Sequence, residues 1–209
     1  MENRVKQIFY ELKGHAPFTA LATIIAILSV ILIVYFLEKV ISKETFHFFH
    51  FLHVAASAMV TAGIFYKYRP RVIPALLVGI FGAIIIGSLS DVVFPYLGWV
   101  LLNLEIHFHL PLLEETLLVL FTALLGSSAG ILTKVTKSPH LIHVFLSVFA
   151  SLLYLLAFAP LFAPLYFIAA FLVVFMAVII PCCLSDIVFP FVFMRPKINY
   201  AKKNNEPHP

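Results

Sequence analysis

Charged residues are scarce in this 209-residue chain. Asp, Glu, Lys and Arg make up only 11% of it, whereas a soluble domain carries about 25%. Hydrophobic residues make up 62% and occur in long blocks, which argues against a soluble globular fold. Each block is close to or above the roughly 20 residues that a helix needs to cross the hydrocarbon core of a bilayer. The blocks are residues 18–37, 46–66, 72–95, 112–133, 141–159 and 165–193.

The sequence also lacks the short signatures of several enzyme classes. It contains no Walker A, G-x-G-x-x-G, H-E-x-x-H or C-x-x-C-H pattern. The first two patterns bind nucleotides, the third belongs to zinc proteases and the last attaches haem. The two cysteines, Cys182 and Cys183, are adjacent, so they do not indicate a disulfide framework. We therefore assign no catalytic or cofactor-binding residue from motifs.

Lys and Arg are absent from two of the five predicted loops, those after the third and the fifth block. If both termini are cytoplasmic, all but two of the 14 basic residues, Lys39 and Lys43, lie on the cytoplasmic side. Such a bias indicates orientation. It predicts a multi-pass protein of the cell membrane (inner or plasma membrane). Basic loops beside lipid explain the pI of about 9.1, so we predict no nucleic-acid partner.

One seven-residue motif occurs twice. Leu89–Pro95 reads LSDVVFP, and Leu184–Pro190 reads LSDIVFP, 95 residues later. Two shorter matches keep the same order and nearly the same offset: H-x-P begins at residues 15 and 109, and H-x-x-H-V at residues 50 and 140. Matches at a constant offset indicate that one unit has been duplicated.

A unit of three helices has an odd number of spans, so its second copy must be inverted in the membrane. The sequence thus predicts an all-α integral membrane protein with six transmembrane helices in two inverted three-helix repeats. The first repeat is 1–100, the second is 101–199, and residues 200–209 form a C-terminal tail. Proline lacks the backbone N–H of a helix, so Pro95 is predicted to end or kink the third helix.

The first group of candidate site residues lies toward the outer face. His47, His50 and His53 have helical i, i+3, i+6 spacing, and Asp91 reaches a similar depth from the third helix. Imidazoles and carboxylates are ligands for zinc and neighbouring metals. No basic residue stands among them in the sequence, so a bound cation would balance the acids. The following loop and helix start add His107, His109, Glu114 and Glu115.

A second group is predicted at the inner face. His140 and His143 lie in the first turn of the fifth helix, and Asp186 lies near the end of the sixth. Cys183 precedes Asp186 by three residues, so both can share one helix face. Together these four residues form a plausible ligand set for zinc or a similar metal.

These two groups predict a small transporter of a divalent transition metal, with sites near both membrane faces. Zinc is the first candidate, and nickel, cobalt, manganese or iron are alternatives. The predicted partners are the lipid bilayer and the metal ion. Two oligomeric states stay open: the six helices form a complete carrier alone, or half of a homodimer. Rocking of one repeat against the other would alternate access.

Three alternatives stay open at this point. The first is an outward-facing intramembrane metalloenzyme with a histidine-bound zinc and Glu114 or Glu115 as general base. The second is a haem protein with two axial histidines at one depth. The third is a carrier of an organic substrate or lipid, in which the buried acids relay protons.

Overall fold

The computed structural model describes residue 17 and residues 19–33, 41–133, 138–159 and 166–183, with only the backbone given for 68, 138–141 and 182–183. Every regular element within these ranges is helical. The wider π-helical turn occurs in two short segments, π1 and π2, and at residues 32–33 after the first helix. In chain order the elements are α1 (Thr19–Ile31), α2 (Lys43–Tyr68), α3 (Val72–Ser88), π1 (Leu89–Val93), α4 (Phe94–Leu101), α5 (Pro111–Glu114), α6 (Thr116–Thr133), α7 (Ser138–Phe158), α8 (Tyr166–Val178) and π2 (Ile179–Cys183).

Three helical segments are long and apolar enough to cross a membrane: Lys43–Lys67, Val72–Leu101 and Thr116–Thr133. Leucines project from them without a protein partner, and the side chain of Leu117, for example, is 84% exposed. Large exposed apolar surface of this kind suits contact with lipid. In the described part of the chain, the prediction of an all-helical protein with helices long and apolar enough to span a membrane is therefore confirmed. The other three predicted blocks hold shorter apolar helices, Thr19–Ile31, Ile142–Phe158 and Tyr166–Pro181.

Helix α2 is the centre of the fold and packs against α3, α6 and α7. Its closest neighbour is α6, where Gly126 and Gly130 form a G-x-x-x-G pattern. A Cβ atom at either glycine would lie 2.1 Å from a carbonyl oxygen of α2, that of Ala55 or Met59. Only glycine allows the two backbones to come so close, which is the usual role of this pattern between membrane helices.

Pro95, which the sequence predicts to end or kink the third helix, does not end it. The helix runs without a break from Val72 to Leu101 and includes Pro95. Immediately before the proline, π1 widens the turn, and the N–H of Phe94 donates to the carbonyl of Leu89, five residues back. A wider turn accommodates the proline ring, which in an α-helix would collide with the carbonyl four residues earlier. The proline is thus absorbed by a local change of helix type.

Helices α2 and α7 are antiparallel, and ring contacts show their register. Phe46, in the first turn of α2, packs against Tyr154 near the end of α7, and Phe49 stacks on Phe149. About one turn beyond Phe49 along α2, His53 stacks on His143. The polar residues of α2 therefore face α7 across an interface that is otherwise aromatic and aliphatic.

Candidate functional site

The central feature of the site is a carboxylate held between two imidazoles. Oδ2 of Asp91 lies 2.8 Å from Nδ1 of His50 and 2.7 Å from Nδ1 of His53. All three side chains are completely buried. His50 and His53 lie one turn apart on α2, so both rings reach the widened turn of π1 that carries the acid. We call these three residues the buried triad.

Serines satisfy the other oxygen of the acid. Oδ1 of Asp91 accepts from Ser90 at 2.8 Å and from Ser147 of α7 at 3.4 Å. The hydroxyl of Ser151, one turn beyond Ser147, donates to the backbone carbonyl of Ser90 at 2.9 Å. Burial of an anion is costly unless its lone pairs are all bonded. These contacts therefore fix the carboxylate and the π-helical turn that carries it.

Hydrogen bonding also fixes the tautomers of the two imidazoles. An ionised carboxylate only accepts hydrogen bonds, so Nδ1 of both His50 and His53 carries the proton. In a neutral ring the lone pair is then on Nε2. Nε2 of His50 is buried and has no hydrogen-bond partner among the described residues. The triad thus contains a buried ring nitrogen whose lone pair faces no donor among the described residues.

His143, predicted as part of the inner group, contacts the buried triad. Its ring stacks on that of His53 with the centroids 4.9 Å apart and the planes 17° apart. The reason is the register of the helices. Because α7 begins opposite the middle of α2, a residue in the first turns of α7 meets α2 about halfway along its length.

A second polar group lies at the start of α2, and we call it the rim cluster. Nε2 of His47 is 2.7 Å from Nε2 of His109, and the two rings are nearly parallel. Nδ1 of His109 is 2.6 Å from Oε1 of Glu114, and Nδ1 of His47 is 4.0 Å from Oε1 of Glu115. The backbone N–H of His109 donates to the hydroxyl of Tyr154 at 3.3 Å, which ties the loop to α7.

The prediction that no basic residue lies among the acids and histidines of the outer group is wrong. Nζ of Lys43 lies 2.6 Å from Oε2 of Glu114, although 71 residues separate them in the sequence. Burial lowers the pKa of His109, and the nearby ammonium of Lys43 lowers it further, while Glu114 opposes the shift. The hydrogen bond from Lys43 holds the pKa of Glu114 below its ordinary value. Near neutral pH, His109 is therefore neutral and Glu114 ionised.

Of the four remaining candidate residues, only one has a described side chain. The side chain of His107 is exposed, and its backbone N–H donates to the carbonyl of Phe158 at 3.0 Å. His107 thus anchors the loop through its backbone. The side chains of His140 and Cys183, and all of Asp186, lie outside the described residues.

The structure therefore divides the predicted outer group into two. His50, His53 and Asp91 form the buried triad, while His47 and His109 face each other at the rim. Within the described part of the chain, no three His, Cys, Asp or Glu side chains are arranged to hold one metal ion. Binding of zinc or another metal at the predicted residues stays a prediction.

Sequence reasoning missed the serines and the lysine. Ser147 and Ser151 follow His143 at intervals of four, so the three residues form one polar stripe along an apolar helix. This spacing is a readable signal for a buried polar face. No comparable signal exists for Lys43, because its partner comes from a distant helix.

Taken together, fold and site define a helical membrane protein with a buried His–Asp–His triad. Comparison with known protein families, with curated proteins and with solved structures finds no match for this chain.

Proposed function

We propose that the protein is a proton-coupled membrane transporter, built of six spans in two inverted three-helix repeats. One observation supports this most strongly. The fully buried carboxylate of Asp91 is bonded to two fully buried imidazoles within helices long enough to span a bilayer. Ionisable residues are rare in such helices and commonly serve as proton relays or ion sites in pumps and transporters.

The charge of the triad explains why it would hold a proton. With Asp91 ionised and both imidazoles neutral, the triad carries one negative charge. The described residues that contact its carboxylate are the two histidines and two serines, none of which is permanently cationic. A buried net charge is unfavourable, and one added proton removes it. Nε2 of His50 is an open position for that proton. The triad would thus exchange a single proton.

The depth of the triad suits alternating access. His53 is ten residues beyond Lys43, so it lies about 15 Å along α2 from the rim. This is close to half of a hydrocarbon core of about 30 Å. Sites at mid-depth are typical of secondary transporters. The rim cluster would connect the triad to one surface, and His143, stacked on His53, would continue the path on the other side.

The substrate we propose is a divalent transition metal, with zinc as the first candidate. Imidazoles at the rim and in the triad are the ligand type that such ions prefer. Each of these histidines also has Nδ1 toward a carboxylate, which is how proteins commonly orient metal-binding imidazoles. We place the protein in the cell membrane, with both termini cytoplasmic.

The test is zinc uptake into proteoliposomes with an imposed pH gradient and an entrapped zinc indicator. Wild-type protein should show uptake that rises with the gradient, and Asp91→Asn should reduce it at least tenfold. Ser128→Ala is the matched control, because Ser128 lies in the spanning helix α6 and bonds only the backbone carbonyl of Leu124 in its own helix among its described contacts. Equal uptake by Asp91→Asn and wild type would overturn the proposal.

A further inference from the structure

The hydrogen bond between His47 and His109 marks a second place where a cation can bind. Two neutral imidazoles can share one hydrogen only if one nitrogen donates and the other accepts. Nδ1 of His109 donates to the carboxylate of Glu114, so Nε2 of His109 has the lone pair and Nε2 of His47 carries the shared hydrogen. Replacing that hydrogen with a metal ion would give the ion two imidazole nitrogens.

We propose that His47 and His109 form the binding site through which a divalent transition metal enters the protein, with both Nε2 atoms as ligands and water in the other positions. This assignment rests on the proposed transport function and names the residues that capture its substrate. This site uses two protein ligands. It is therefore compatible with the finding that no three His, Cys, Asp or Glu side chains among the described residues are arranged around one metal position.

The distances are close to those that the ion needs. Zinc–nitrogen bonds of about 2.0–2.1 Å at a tetrahedral angle place two ligand nitrogens about 3.4 Å apart. The two Nε2 atoms are now 2.7 Å apart, so each ring would have to move by a few tenths of an ångström. The rings are nearly parallel, with their planes 18° apart, and the rim is partly open to solvent through Glu114 and Glu115.

Both histidines already have the carboxylate that a metal-bound imidazole uses for orientation. Glu114 accepts from Nδ1 of His109, and Oε1 of Glu115 is 4.0 Å from Nδ1 of His47. When the metal binds, His47 gives up its Nε2 hydrogen and takes one at Nδ1, facing Glu115. The ring stays neutral through this change of tautomer, so no net proton is released when both rings start neutral.

The local charge also favours a cation. Lys43 contributes one positive charge, and Glu114 and Glu115 contribute two negative charges, so the rim has an excess of one negative charge. Lys43 is bonded to Oε2 of Glu114, whereas His109 uses Oε1, so the ammonium occupies the oxygen that the metal site does not need. The residual negative charge attracts an ion from solution.

The site is tested by isothermal titration calorimetry, in which zinc is added to tag-free protein in detergent. Wild type should bind one zinc ion at the rim, and His47→Gln and His109→Gln should each weaken binding at least tenfold. Glu114→Gln should weaken it by about 10- to 100-fold, the usual effect of losing an orienting carboxylate. His107→Gln is the matched control, because His107 is exposed, lies two residues from His109 and should leave binding unchanged.

The result separates this inference from the transport proposal. Zinc affinity and stoichiometry that are unchanged in a His47→Gln/His109→Gln protein would overturn the rim site, even if proton-driven uptake is normal. Asp91→Asn should bind zinc at the rim as wild type does, because Asp91 lies in the buried triad. If wild type binds zinc at the rim but carries none into liposomes, the rim site stands and the transport function fails.

Discussion

Nδ1 of His53 lies 2.7 Å from Oδ2 of Asp91, and neither side chain has any exposed surface. The same oxygen is 2.8 Å from His50. Two donors on one buried acceptor form a tightly coupled unit, because changing one member leaves the others without their partner in a medium of low dielectric constant. The first prediction concerns this unit.

Asp91→Asn should destabilise the protein as well as inactivate it. The amide oxygen can accept from the imidazoles, but its N–H₂ group adds donors where the site needs acceptors. At the position of Oδ1 this group takes the acceptor from Ser90 and Ser147, and at Oδ2 the two imidazoles exchange a charged acceptor for a neutral one, at a cost of about 1–3 kcal/mol. Thermal unfolding in detergent should show a lower midpoint than in wild type. An unchanged midpoint would mean that the carboxylate does not bridge the two histidines.

The contact between α2 and α6 should tolerate no side chain at Gly130. A Cβ atom there would lie 2.1 Å from the carbonyl oxygen of Met59, so Gly130→Ala forces the helices apart. Overpacking of this kind costs about 1–3 kcal/mol. The matched control is Gly63→Ala, whose Cβ atom would be 3.1 Å from the carbonyl of Gly130. We expect a clearly lower unfolding temperature for Gly130→Ala, and equal losses in the two variants would contradict the packing.

The metal-free protein should lose stability as the pH falls below about 6.5, the ordinary pKa of histidine. Burial, with help from Lys43, lowers the pKa of His109 in the folded protein, so the unfolded chain takes up this proton first. The stabilisation is complete above that pH and declines as the pH falls toward the folded pKa. Unfolding temperatures of wild type and His109→Gln between pH 5 and 8 measure the effect.

The unfolding temperature of wild type should fall more steeply between pH 8 and 5 than that of His109→Gln, because only wild type has the His109 imidazole. Glu114 does not confuse the comparison, because its pKa is lowered and its stabilisation is lost only below the ordinary glutamate value of about 4.3. If the two proteins have parallel pH profiles over this range, His109 is not the group responsible.

The inverted repeat predicts which loops face outward. In a background with Cys182 and Cys183 replaced by serine, Glu105→Cys should react with a membrane-impermeant maleimide in intact cells. Arg69→Cys, equally exposed in the preceding loop, is the control and should react only after the cells are opened. Labelling of both positions in intact cells would rule out six spans with cytoplasmic termini.

Much of the triad could be predicted from the sequence. Helical spacing puts His50 and His53 one turn apart, and the lengths of two neighbouring apolar blocks bring Asp91 to a similar depth. Both signals are local, since they depend only on the rise and period of a helix. The structure joins these three residues as the spacing suggested.

The register between distant helices could not be predicted in this way. The position of His143 opposite His53 depends on where α7 starts relative to α2, and the contact of Lys43 with Glu114 depends on how α2 packs against α5 and α6. Tertiary packing sets both relationships, and neither leaves a periodic trace in the sequence. The π-helical turn before Pro95 could not be predicted either, because a proline in the sequence indicates a break or kink and does not specify a π-helical turn.

The most direct test of the central claim is the current produced by a pH jump on a solid-supported membrane that holds the protein without metal. Wild type and the Ser128→Ala control should give a transient current, because the triad takes up or releases a proton within the membrane. Asp91→Asn should give none beyond that of empty liposomes. A current of equal size in Asp91→Asn would show that the buried carboxylate and its two histidines do not carry the proton.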